Sequence, residues 1–127
     1  MPKFMLMFNA SDDDAWANAP KADKEAAYAE IGRWWSEHSQ AGRIVGGEEL
    51  HHRRTAKTVR FEPKSPKPVV TDGPYLETKD LIGGYAIVET PDIAAAVEIA
   101  KTWPGALMAA EGGVRSSVEV RPIVEQS

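Results

Sequence analysis

Two helical stretches, each set between β-favouring runs, constrain this chain more than any other feature. The first covers residues 23–40. There Ala27, Tyr28, Ile31, Trp34, Trp35 and His38 recur at helical spacings and share one face. Lys24, Glu25, Glu30, Arg33, Glu37 and Gln40 take much of the remainder, and Gly42 supplies a stop. The second starts at Thr90-Pro91-Asp92, with Thr as N-cap, Pro at the first helical position and an acid in the first turn. Its apolar face is Ile93, Ala96, Val97 and Ala100, and Trp103-Pro104-Gly105 ends it.

The strands follow from shorter signals. Residues 4–8 form an apolar run that begins almost at the N-terminus, so it belongs inside a sheet. Residues 43–50 carry Gly46-Gly47, the mark of a bulge or of a close backbone approach. Thr55, Thr58, Val59 and Phe61 define a run over 54–62. A proline-rich turn at 63–68 leads to a short strand at Val69 and Val70. These pieces read as a meander after the first helix. Residues 84–89 and 117–124 complete the set, with Val118 and Val120 facing one way and Glu119 and Arg121 the other. The order β-α-β-β-(β)-β-α-β predicts one α+β domain over residues 1–127. The expected form is a ferredoxin-like two-layer sandwich with both helices on one face of an antiparallel sheet. The other face then needs cover. A second copy packed sheet to sheet supplies it, giving a homodimer with an enclosed α+β barrel.

Composition removes several classes of function. No cysteine is present, which excludes disulfides, thiol nucleophiles and Cys-ligated metals. Fifteen Lys and Arg against nineteen Asp and Glu leave a net charge of −4, the wrong sign for nucleic-acid binding. The apolar run at 4–8 is too short for a signal peptide or a membrane span, so a cytoplasmic location is expected. No phosphate-binding glycine loop, nucleophile elbow or zinc-binding helix motif occurs, and no cofactor or metal is expected.

Chemistry concentrates in residues 70–89, VTDGPYLETKDLIGGYAIVE. Asp72-Gly73-Pro74 is turn chemistry first. Tyr75, Glu77, Thr78, Lys79 and Asp80 then put acids, an amine and hydroxyls on one loop beside a sheet edge, where pockets form. The run DGPY-x-ETK, followed by GGY and then IVE, resembles the signature of the YCII-related family in its DGPF-domain branch, with Tyr75 in place of the usual phenylalanine. The opening strand, VGGE at 45–48 and the closing VEVRP at 118–122 extend that resemblance over nearly the whole chain. It implies a ferredoxin-like dimeric barrel with a cleft near the DGPY loop. In better-studied relatives it implies enzyme activity through a His–Asp pair. Asp72 supplies an acid from the loop, whereas His38, His51 and His52 match no motif position. Some members resemble companions of extracytoplasmic-function sigma factors, which implies an accessory role.

Asp72 is therefore the candidate acid/base, with Tyr75 and Glu77 lining the cleft and Lys79 or Arg121 supplying positive charge. Trp35, one of two adjacent tryptophans that cannot both enter the core, belongs at a pocket edge or an interface. One of Glu48 and Glu49 faces a pocket, while the acids at 12–14 and the HHRR run at 51–54 read as solvated. Trp16 is expected to fold back onto the body. The leading reading is a homodimer that binds and transforms a small polar molecule. The rival is a non-enzymatic module whose Trp pair docks a regulator such as a sigma factor.

Overall fold

The computed structural model describes residues 1–10, 13–73, 81–105 and 116–125. In chain order the elements are β1 (Lys3–Ala10), α1 (Asp13–Ala17), α2 (Lys21–Gln40), β2 (Ile44–Glu49), a single 3₁₀ turn (Arg53–Thr55), β3 (Lys57–Arg60), β4 (Val69–Asp72), β5 (Leu81–Glu89), α3 (Ile93–Lys101) and β6 (Ser116–Pro122). Four strands make one antiparallel sheet in the order β2-β5-β1-β6. With β3 and β4 set aside, the chain reads β-α-β-β-α-β, and this strand order is compatible with a ferredoxin-like sandwich. The expected meander is corrected. β2 pairs with β5, while β3 and β4 form a separate hairpin of their own. Exposure explains the separation: Val59, Val69 and Val70 all stay open to solvent, so this hairpin adds no face to the core.

Alternation along β1 sets the core. Phe4, Leu6 and Phe8 are buried, and the register puts Val88, Ala86 and Gly84 beside them on one side and Pro122, Val120 and Val118 on the other. Trp34 from α2 and Ala96 and Ile99 from α3 close over this layer. Trp103 stacks on Phe8 with ring centroids 4.0 Å apart.

Helix ends follow local chemistry. Gly42, at φ +77°, takes the left-handed position after α2. Its N–H bonds Ser39 O at 3.0 Å and that of Arg43 bonds His38 O at 2.9 Å, a Schellman ending. The start of α3 falls two residues later than the sequence suggests. Asp92, not Thr90, is the N-cap, its carboxylate accepting from Ala95 N at 2.9 Å. Thr90 instead donates its hydroxyl to the Asp92 carbonyl at 2.7 Å, which fixes the approach to the cap.

A polar junction joins the two long helices inside this apolar layer. Arg43 Nη1 donates to His38 Nδ1 at 2.9 Å, so the ring proton sits on Nε2 and is given to Thr102 Oγ1 at 3.2 Å. Thr102 also accepts from Trp34 Nε1 at 2.8 Å and donates to Ile99 O at 2.7 Å. Burial, with the Arg43 charge beside it, lowers the pKa of His38 below the ordinary 6.5.

Candidate functional site

A cavity of about 590 Å³ opens between α2 and the sheet, where β1 and β2 end and β5 begins. That volume suits a drug-sized molecule. One wall is the helical face of Tyr28, Ile31 and Trp35. The opposite wall is Phe8 with Gly84 and Trp103, and Glu48 and Glu49 of β2 line a side. Leu50, His51 and His52 form a rim, with Ile82 and Gly83 at the start of β5.

Gly47 sets the distance between helix and sheet. Its φ is +134°, and a Cβ there would lie 2.7 Å from Trp35 Cη2 and closer still to the Tyr85 carbonyl oxygen. Glycine therefore lets the tip of the Trp35 ring come close to the strand backbone. The register also shifts between Ile44 and Gly46, leaving Val45 as the bulged residue just before the glycine pair, and Gly47 gives the close approach.

The short helix α1 lies against this cavity and brings Trp16 and Ala17 to it. Trp16 meets Tyr28 edge-on at 5.6 Å, as the cost of an exposed tryptophan required. Tyr28 donates its hydroxyl to Glu49 Oε1 at 2.8 Å. Burial raises the Tyr28 pKa, and the Glu49 hydrogen bond and charge add to it, so the phenol keeps its proton.

Asp14 and His52 meet here although both segments read as solvated. His52 Nε2 lies 2.5 Å from Asp14 Oδ1, and Arg53 Nη2 donates to Asp14 Oδ2 at 3.1 Å. Nδ1 of the same imidazole accepts from the Arg54 backbone N–H at 3.0 Å. The ring proton is thus on Nε2 and points at Asp14. A general base needs a lone pair open to substrate, and in this arrangement both ring nitrogens are engaged. The pair works as a fastener that ties α1 to the turn after β2. The hydrogen bond from His52, with Arg53 beside it, lowers the Asp14 pKa below the ordinary 3.8.

Of the residues singled out by sequence, Trp35 lines the cavity, and Glu48 borders it by its place on β2, its side chain alternating to the face of Tyr85. Arg121 does not. It is exposed, 4.0 Å from Glu119, and pairs across the ladder with Met5, on the sheet face away from the helices. Asp72 also stands apart from the cavity lining. It ends β4 with its side chain 84% exposed and ion-paired with Lys57 at 2.5 Å. Tyr75, Glu77 and Lys79 lie outside the described residues. The sequence reading passed over Tyr28, Lys24 and the Asp14–His52 pair. Tyr28 carried a signal, since it sits on the same helical face as Trp35. Among the described residues, no group of three His, Asp or Glu is placed to hold a metal ion.

A family model for the YCII-related domain matches residues 3–125. The chain belongs to the YCII-related family. The match runs from β1 through β6, so the four-stranded sheet, the inserted hairpin and the cavity all lie within the YCII-related domain. No curated protein matches the chain. No described helix of this YCII-related domain is long and apolar enough to cross a membrane.

Proposed function

We propose that this YCII-related protein binds a small organic molecule in the cavity between α2 and the sheet, and does so as a cytoplasmic homodimer of the DGPF branch. The cavity carries the reading: about 590 Å³, walled by aromatic rings, with Glu49 and Lys24 as its charged side chains. The DGPY run at 72–75 supports the branch. Support for the dimer comes from the sheet face opposite the helices. There Met5 and Met7 on β1 lie beside Ile87 and Tyr85 on β5, half-buried, in a row that alternation turns away from the core. The geometry supports binding more directly than it supports chemistry at Asp72, whose carboxylate is held in solvent by Lys57.

Native mass spectrometry of gently purified protein tests this reading, followed by thermal shifts against a small-molecule library. The expected result is a dimer whose melting temperature rises with library members. A ligand at one hundred times its Kd adds about 2.7 kcal/mol. Replacing Trp35 with Ala weakens those hits. A monomer that no compound stabilises would overturn the proposal.

A further inference from the structure

The cavity wall is uneven in charge. Among the described residues, its charged side chains are Lys24 on α2 and Glu49, which Tyr28 bonds from α2, whereas Glu48 stands across from Tyr85 and alternates to the other face of the sheet. Lys24 Nζ is turned to the Ala17 carbonyl at 3.0 Å. The Glu49 carboxylate accepts from the neutral Tyr28 hydroxyl. Neither Glu48 nor Glu49 is ion-paired among the described residues. Nearby, Arg53 and the His52 ring proton both bond Asp14.

Aromatic side chains make up much of the remaining wall: Phe8, Trp16, Tyr28, Trp35 and Trp103. Ring faces carry negative potential and attract cations, Trp most strongly. An anion here would meet the Glu49 carboxylate and several aromatic rings. A cation would find both attractive.

We propose that the cavity selects a small organic cation, an ammonium or substituted ammonium on an apolar body, with Glu49 as its counter-charge and the Trp16, Tyr28 and Trp35 rings around it. The selection rests on the binding reading above and adds the class of ligand. Glu49 is placed for this role because the Tyr28 hydroxyl fixes one carboxylate oxygen and leaves the other for the cation.

Three probes with one skeleton and different charge test it: phenethylamine, phenethyl alcohol and phenylacetate. Each is titrated into the full chain at neutral pH and followed by tryptophan fluorescence and thermal shift. The amine is expected to bind about tenfold more tightly than the alcohol, and phenylacetate most weakly. Glu49→Gln is expected to cost the amine several-fold while leaving the alcohol unchanged, and Glu48→Gln, on the other face of the sheet, to change neither. Both residues are exposed, so these variants fold. Equal binding of amine and alcohol, or preferred binding of phenylacetate, would overturn the cation assignment and leave the cavity as a binding site. No binding of any probe would overturn the binding reading and this assignment with it.

Discussion

Single residues decide whether the cavity exists. Gly47 is the sharpest case, because its φ of +134° and the 2.7 Å approach to Trp35 both forbid a side chain. Gly47→Ala is expected to cost about 1–3 kcal/mol in urea unfolding and to displace Trp35 from the wall. Gly46→Ala meets only ordinary contacts at 3.7 Å to Ile87 and serves as the control. In the core, Leu6 is fully buried at the centre of β1, and Leu6→Ala is expected to cost about 2–5 kcal/mol. Asp72→Ala is the opposite case. Its partner Lys57 is an exposed lysine, so the variant should leave stability within about 0.5 kcal/mol and ligand binding unchanged. Binding lost in Asp72→Ala would restore Asp72 to the site.

At the scale of elements, two polar connections respond to acid at different points. His38 joins α2 to α3 as a neutral ring, with Nδ1 accepting from Arg43 and Nε2–H donating to Thr102. Its pKa is lowered in the fold, so below 6.5 the unfolded chain takes up a proton that the native state resists. Stability therefore falls as pH drops below 6.5, and urea titrations at several pH values should show that slope vanish in His38→Gln. Asp14 responds in its own, lower window. Its pKa is also lowered, so its tie to His52 and Arg53 is present in full above the ordinary 3.8 and lost as pH falls below that value. Asp14→Asn weakens the tie at neutral pH. Hydrogen exchange should then speed up in α1 while the β1 and β5 amides stay protected, since α1 makes few core contacts. Equal acceleration across the sheet would mean that α1 is integral to the fold and not a separately fastened wall.

At the scale of the whole molecule, the order of elements was legible because the periods that encode it are local. Alternation in β1, the helical stripe of α2 and the Gly42 stop each involve neighbours in sequence. The hairpin's departure from the sheet was not legible, because no local signal says that β2 pairs with β5, whose Tyr85 stands across from Glu48. The α3 cap was half legible: Thr90 and Asp92 both satisfy the rule, and only the backbone path chooses Asp92. At the site, Trp35 was readable from two tryptophans competing for one core face. The Asp14–His52 contact spans 38 residues and joins two segments that look like ordinary charged loops. Tests of assembly belong at this scale too. Met7→Glu places a charge amid the uncovered sheet face and is expected to turn a dimer into a monomer in sedimentation velocity. The central claim, that a ligand sits between α2 and the sheet, is tested most directly by NMR of the tryptophan indoles during a phenethylamine titration. Trp16, Trp35 and Trp103 line the cavity, whereas Trp34 is buried with its N–H on Thr102. The account predicts that the Trp16 and Trp35 indole signals move together and saturate while Trp34 stays nearly still. Saturating shifts confined to β3 and β4 around Asp72, with Trp16 and Trp35 unmoved, would contradict it.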